Sequence, residues 1–160
     1  MKKHINIQRI LLRTLTLLVA MLPMGMWGQT EISSLSDITD ANGYYVIKQD
    51  ITYSSTNKPG VTTFNGTLEA NINSTTHMPY RITGLSAPLF TTLTGTVKNL
   101  VLENVNITSG TDVGAIAGTA NGAARIYNVG ILSGNVGGSG NVGGLVGLLA
   151  GTARDRKSVV

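Results

Sequence analysis

Cysteine is absent from this chain of 160 residues, and charged and aromatic residues are scarce, at 12% and 5% of the sequence. Without cysteine the protein forms no disulfide bond and no thiolate metal site, so its fold depends on packing and hydrogen bonding. The low charge excludes a highly charged disordered chain and also a helical bundle rich in lysine and glutamate. Glycine, by contrast, is abundant, with 20 residues. One domain with a hydrophobic core fits this length.

The positive charge of the chain belongs to its two ends. The formal net charge is +4. Residues 28–154, however, hold six Lys and Arg against seven Asp and Glu. The basic character therefore gives no indication of a nucleic-acid partner, and we expect none.

The N-terminus has the pattern of a secretory signal peptide. A basic start, Met1-Lys-Lys-His4, is followed by an apolar segment at residues 10–22, interrupted only by Arg13, Thr14 and Thr16, and then by small residues around Gly25 and Gly28. This pattern predicts that residues 1–28 direct export and are removed, which leaves Gln29 first and no membrane span in the mature chain. An uncleaved anchor is the alternative, but the apolar segment is shorter than the roughly 20 residues that a span needs.

Internal repetition organises the rest of the chain. A shift that places Val97 on Ile126 aligns Val97-Lys-Asn-Leu-Val-Leu102 with Ile126-Tyr-Asn-Val-Gly-Ile131 and superimposes two glycine-rich hexapeptides. A fixed period of this length, about 29 residues, is typical of solenoid proteins. The repeated positions, for which we predict a structural role, are Asn99, Asn128, Val113, Gly114, Gly118, Val142, Gly143 and Gly147.

The pattern within each period predicts an all-β fold. Apolar residues alternate with Gly, Asn, Ser and Thr, as in strands joined by turns. We predict a right-handed parallel β-helix, or solenoid, with about 29 residues and three short strands in each coil. Asn99 and Asn128 fall at equivalent corners, where they could form a ladder of side-chain amides. The solenoid (61–154) should follow an N-terminal cap and first strands (29–60), with Ser36 as the N-cap of a helical turn.

The two hexapeptides carry a family resemblance. Val142-Gly-Gly-Leu-Val-Gly147 and Val113-Gly-Ala-Ile-Ala-Gly118 resemble the GLUG motif, a glycine-rich repeat of large secreted and surface proteins of bacteria. The resemblance implies a β-solenoid of adhesive or unknown role, sometimes appended to proteases, and it implies no catalytic residues. Gln29 after the cleavage site is similar to exported proteins of the Bacteroidetes, which implies a location outside or on the outer surface of a Gram-negative bacterium.

The last six residues break the repeat. The register calls for an aliphatic residue at position 155 and Asn at position 157, but the chain reads Asp155-Arg-Lys-Ser-Val-Val160. We interpret residues 155–160 as a translated sequencing adapter and expect the natural protein to continue with further repeats. A frayed native tail is the alternative.

Sites for chemistry are few. Gly138-Ser-Gly-Asn-Val-Gly143 has the spacing of a dinucleotide fingerprint, but no helical pattern follows it. Gly137-Gly-Ser-Gly-Asn141 resembles a calcium-binding repeat, with Asp112 at the position of Asn141 one coil earlier, although Asn is the weaker ligand and the nonapeptide spacing does not recur. His77 is the only histidine after the signal peptide and reads as a solvated loop residue. We therefore predict no catalytic residue, no metal and no cofactor.

Three functional hypotheses remain. The one we adopt is an exported surface module with a structural or adhesive role and no catalysis of its own. The second is a polysaccharide-active β-helix, in which Lys98 or Arg125 would abstract a proton beside Glu103 and Asp112, but two isolated acids are not a cluster. The third is a non-catalytic appendage of a secreted protease, which a downstream His-Glu-x-x-His would favour. The partner is unknown, with glycans and cell-surface proteins as the classes considered.

Overall fold

The computed structural model of the protein describes residues 28–156, and it describes side chains up to residue 154. The predicted signal peptide lies outside the described residues except for Gly28, and so does most of the predicted tail at 155–160. The described elements are one 3-10 turn (Leu35–Asp37) and sixteen short strands: β1 (Gln29–Ile32), β2 (Tyr44–Ile47), β3 (Ile51–Thr52), β4 (Thr63–Phe64), β5 (Thr67–Ala70), β6 (Arg81–Thr83), β7 (Phe90–Leu93), β8 (Thr96–Glu103), β9 (Val105–Ile107), β10 (Asp112–Val113), β11 (Ala117–Ala120), β12 (Arg125–Ile131), β13 (Gly134–Val136), β14 (Asn141–Val142), β15 (Val146–Leu149) and β16 (Arg154–Arg156).

Every pair between these strands is parallel. The largest sheet has the order β1-β2-β5-β8-β12-β16, and β3 and β6 join it beside β8. A second sheet has the order β15-β11-β7-β4, while β9 pairs with β13 and β10 with β14. Apart from β1 and β2, paired strands are separated along the chain by other strands, as the crossover connections of parallel pairing require. The predicted all-β class is confirmed.

From β8 onward, each strand pairs with its equivalent in the next repeat at the constant offset of the sequence repeat, whereas β7 pairs with β11 at a shorter offset. Val97 lies beside Ile126 and Val113 beside Val142. The pairs β9 with β13, β11 with β15, and β12 with β16 have the same offset. Residues that the sequence repeat makes equivalent therefore lie next to each other in space, and aliphatic side chains form continuous inward rows.

The inward rows meet in one core. Phe64 and Phe90 stack with their ring centroids 4.6 Å apart, and the ring of Tyr45 packs against Phe64 at 6.2 Å. The hydroxyl oxygen of Tyr45 accepts a hydrogen bond from the backbone N–H of Asp40 at 2.8 Å, so the polar end of this buried ring is satisfied. No charged or polar residue is buried between residues 28 and 154.

The first strands depart from the period of the repeat. Tyr44 of β2 pairs with Thr67 of β5, and Arg81 of β6 pairs with Val101 of β8, so both offsets are shorter than that of the later strands. An insert at residues 72–79, closed by an antiparallel bridge between its two end residues, separates β5 from β6 along the chain. The connections between the strands take up these differences in length, so the sheet continues without a break.

The turn of the cap begins at a different residue from the one predicted. Its N-cap is Ser34 and not Ser36. The backbone N–H of Ser34 donates to Oδ2 of Asp37 at 3.1 Å, and that of Leu35 donates to the amide oxygen of Asn57 at 2.7 Å. Ser34 and Asp37 have the spacing of a capping box, so a local signal for this start was present in the sequence, whereas the contact with Asn57 is remote.

Candidate functional site

The outward face of the largest sheet carries a cluster of three side chains from β2, β5 and β8. Lys98 Nζ lies 2.8 Å from Glu69 Oε2. The hydroxyl of Tyr44 donates to Glu69 Oε1 at 2.6 Å, and Lys98 Nζ donates to the same hydroxyl at 3.4 Å. The ammonium group also lies 5.7 Å from the centre of the Tyr44 ring, within the range of a cation–π contact. Each strand contributes one member, so the cluster connects three neighbouring strands.

Hydrogen bonding in this cluster changes two pKa values. Burial by itself raises the pKa of the Glu69 carboxyl, but the hydrogen bonds from Lys98 and Tyr44 and the charge of Lys98 outweigh it, so the pKa of Glu69 is lowered. The hydrogen bond to Glu69 is the main reason why the pKa of Lys98 is raised, against the opposing effect of burial. Both groups therefore stay charged over a wider pH range than in the unfolded chain.

Glu69→Gln should lower the free energy of unfolding at neutral pH by about 1–3 kcal/mol, because Lys98 then faces a neutral amide. The pKa of Glu69 is lower in the folded than in the unfolded protein, so its contribution is complete above the ordinary value of 4.5 and is lost as the pH falls through the folded value. Urea unfolding at neutral pH and at a series of acidic pH values should show the difference between wild type and variant shrinking with acidity.

Glu31→Gln provides the matched control for this prediction. The Glu31–Lys48 ion pair is almost as short, at 2.9 Å, but the Glu31 side chain is 69% exposed. We expect its loss to change the free energy of unfolding by less than about 0.5 kcal/mol, because solvent screens such pairs. Equal effects of the two substitutions would contradict a special contribution from the Tyr44–Glu69–Lys98 cluster.

Hydrogen-bonded side-chain ladders join residues one period apart. Asn128 Nδ2 donates to Asn99 Oδ1 at 2.8 Å, and the two residues have φ angles of 55° and 52°. Asparagine adopts this left-handed conformation more readily than most residues, so β8 and β12 can both bend at this point. Two further ladders join Ser133 to Asn104 and Asn141 to Asp112, at 3.2 and 2.8 Å.

Four of the five glycines in the repeated hexapeptides lie where neighbouring backbone segments come close together. A Cβ on Gly114 would lie 2.5 Å from the carbonyl oxygen of Leu145. Gly118, Gly143 and Gly147 likewise face backbone atoms that a Cβ would overlap. The accompanying valines are paired in β10 and β14, where Val113 is buried and Val142 is exposed. The glycine positions thus allow neighbouring backbone segments to pack closely.

The structure does not bring the predicted proton-transfer residues together. Lys98 is engaged by Glu69, while Glu103 Oε2 lies 3.1 Å from Arg81 Nη1. Asp112 accepts the hydrogen bond from its ladder partner, and His77 lies in the exposed turn of the insert. Within residues 28–156, no group of three or more His, Cys, Asp or Glu is placed to hold a metal ion. Of the dinucleotide-like glycines, Gly138 and Gly140 precede β14 and Gly143 lies between β14 and β15, so up to residue 156 strands and not a helix follow them.

Two arginines form a second feature of the outward face. Arg125 and Arg154 are register partners on β12 and β16. They line a groove of about 310 Å³ together with Ala123 and Thr152. The sequence repeat already aligned the two arginines, but their outward direction and the groove became apparent only in the structure.

None of the helices within residues 28–156 has the length and apolar character that crossing a bilayer requires.

Comparisons with known proteins relate this fold to one family. The family model of the M26 IgA1-specific metallo-endopeptidase N-terminal region matches residues 32–133, more than half of the chain. Immunoglobulin A1 protease of Streptococcus sanguinis is 51% identical over 71 residues, which are 42% of this chain and 4% of that protein. Halomucin of Haloquadratum walsbyi is 43% identical over 53 residues, which are 33% of this chain and, to the nearest per cent, 0% of that protein. No solved structure matches the chain significantly.

This chain therefore spans only a small part of the length of the relatives it matches. The predicted membership of the GLUG-motif repeat proteins is wrong, because the matching family is the M26 N-terminal region. The hexapeptides suggested the wrong family because their pattern reflects only local packing: glycine where two backbone segments come close together, and aliphatic residues that face the core. Unrelated parallel β folds have the same packing requirements. The chain belongs to the family of the M26 IgA1-specific metallo-endopeptidase N-terminal region.

Proposed function

We propose that this chain is a non-catalytic module of a secreted metallopeptidase, positioned ahead of the catalytic part. The observation that carries the proposal is the match of residues 32–133 to the N-terminal region of the M26 family. The similarity to Immunoglobulin A1 protease supports an extracellular protein that acts on, or close to, an immunoglobulin. We include in this proposal a location on the outer surface of a Gram-negative bacterium, which only the sequence predicts.

The proposed architecture is a right-handed parallel β-solenoid. It is supported by the constant offset of the later strand pairs and by the side-chain ladders that link the same offset. Crossovers between parallel strands are right-handed in nearly all proteins, which supports the handedness. We propose residues 29–60 as the cap and first strands and residues 61–154 as the solenoid. The repeated Asn, Val and Gly positions would then be structural.

A solenoid suits this role because it makes a stiff rod whose length is set by the number of coils. Each coil adds about 4.8 Å, the distance between neighbouring strands. Such a rod would hold a catalytic domain at a defined distance from the cell surface or from the substrate, and it would expose a long lateral face. The function of the chain would then be to position and to bind.

A structural or adhesive surface protein is the second candidate. The similarity to halomucin favours it, because the matching segment there lies in a protein that is not named as a protease. In this case the chain would be one module among others in a surface layer, with no peptidase encoded beside it.

A long sequencing read across the locus separates the two candidates. If the chain is the appendage of a peptidase, the frame that encodes Arg154 should continue into a later domain with a His-Glu-x-x-His zinc motif. A frame that continues into an anchoring domain with no such motif would refute the peptidase proposal and support the surface protein. The purified chain, incubated with IgA1 and zinc, should also leave the antibody heavy chain intact, and cleavage would refute a non-catalytic role.

A further inference from the structure

Arg125 and Arg154 place two positive charges side by side on the outward face. They are register partners on adjacent parallel strands, and such strands lie about 4.8 Å apart. Like charges directly opposite each other destabilise a sheet. This arrangement therefore has an energetic cost unless an anion binds between or across the two guanidinium groups.

The other outward cations of the sheet are neutralised within the protein. Lys48, Arg81 and Lys98 each lie 2.8–3.1 Å from a carboxylate oxygen. Among the side chains described for residues 28–154, Arg125, Arg154 and Lys58 have no such partner, and of these three only the two arginines belong to strands. The contrast indicates that the two guanidinium groups are available to a ligand.

The surroundings of the two arginines form a groove with an aromatic edge. Ala123 and Thr152, two residues before each arginine, are small and leave a groove of about 310 Å³. This volume is at the lower end of the range for small-molecule sites. Tyr127 lies two residues after Arg125 on the same side of β12, and 39% of its surface is exposed. The ring of Tyr127 therefore lies on the same side of β12 as Arg125, one strand position beyond the residues that line the groove.

We propose that this arginine face, defined by Arg125, Tyr127 and Arg154, binds an acidic polysaccharide. The planar guanidinium groups would pair with carboxylate or sulfate groups, which they match in geometry. The ring of Tyr127 would pack against the apolar face of a sugar. The distance between neighbouring strands is close to the length of one sugar in an extended polysaccharide, so successive acidic sugars meet successive arginines. This inference goes beyond the proposed function and does not depend on it.

Binding of polygalacturonate and of dextran sulfate to the purified protein tests the proposal, with neutral dextran as the negative control. We expect the double variant Arg125→Gln/Arg154→Gln to raise the Kd for the bound polymer at least tenfold, because it removes both charged hydrogen-bond donors. The matched control is Lys48→Gln/Lys58→Gln, which removes the same number of charges elsewhere and should change Kd less than twofold. Tyr127→Ala should raise Kd about threefold or more.

Several results would overturn the proposal. These are binding of neither acidic polymer, equal losses in the two double variants, and equally tight binding of neutral dextran. Poly-glutamate that binds as tightly as the polysaccharides, with no effect of Tyr127→Ala, would also overturn it and point to an acidic peptide. If the double variant does not fold, the wild-type protein still gives a result. Polygalacturonate or dextran sulfate should protect Arg125 and Arg154, but not Arg81, from modification by phenylglyoxal, and absence of protection would refute the site.

Discussion

Deletion of residues 97–125 should leave a folded protein that melts in one cooperative transition, at a lower temperature than the wild type. The deletion removes one whole period and joins Thr96 to Ile126, which is the register partner of Val97 and would take its place against β5. In a solenoid each coil contacts only its neighbours, so removal of a whole coil takes away one interface and leaves the rest intact. Circular dichroism during heating measures both the cooperativity and the midpoint.

The matched control deletes one residue fewer, residues 97–124. A slip of one residue turns the inward side chains of a strand to the outside. Three inward residues of β12, Ile126, Val129 and Ile131, would be affected. Exposure of aliphatic side chains costs about 1.5–3 kcal/mol each, which together approaches the whole stability of an ordinary domain. We therefore expect this variant to lose its cooperative transition, and similar melting of both deletion variants would refute the proposed coil length.

Gly114→Ala should be among the most destabilising single substitutions in the protein, with a loss of about 3 kcal/mol in the free energy of unfolding. The added Cβ would lie 2.5 Å from both the carbonyl oxygen of Leu145 and the backbone nitrogen of Val146. These atoms cannot easily retreat, because the N–H of Ile116 donates to the Leu145 carbonyl at 2.9 Å. Urea unfolding at neutral pH measures the loss.

Gly137→Ala is the control for this substitution. Its Cβ would lie 3.9 Å from the carbonyl oxygen of Ile107, which is an ordinary contact, and its φ angle does not require glycine. We expect a change within about 0.5 kcal/mol or a slight stabilisation, since alanine restricts the unfolded chain. Comparable losses for the two variants would contradict the close approach of two turns as the cause of the effect at Gly114.

The later strands illustrate how far sequence reasoning reaches. The alignment of Val97 with Ile126 and of Val113 with Val142 came from the sequence repeat, and the structure pairs the same residues. Alternation of apolar and small polar residues also predicted an all-β fold. The same glycine-rich pattern led to the wrong family, because a short motif reports local packing requirements and not ancestry.

The sequence indicated one of the candidate sites and not the other. The Arg125–Arg154 row was visible in the sequence because both arginines lie within the regular repeat. The Tyr44–Glu69–Lys98 cluster was not, because β2 and β5 pair at a shorter offset that no repeated motif marks. The Ser34 cap differs, since the spacing of Ser34 and Asp37 is a local capping-box signal, and only the additional contact with Asn57 comes from a distant turn.

Three properties follow from the order of residues alone: which residues alternate, where the repeat recurs and which positions are equivalent between β8 and β12. Alternation and the choice of corner residues depend on near neighbours along the chain. Tertiary packing, in contrast, sets how the irregular first strands align, which outward charges are neutralised and which remain available. The alignment of the first strands and the pairing of their charges both depend on the register of each strand against its neighbour. Because the connections between these strands differ in length, packing of the shared core selects that register.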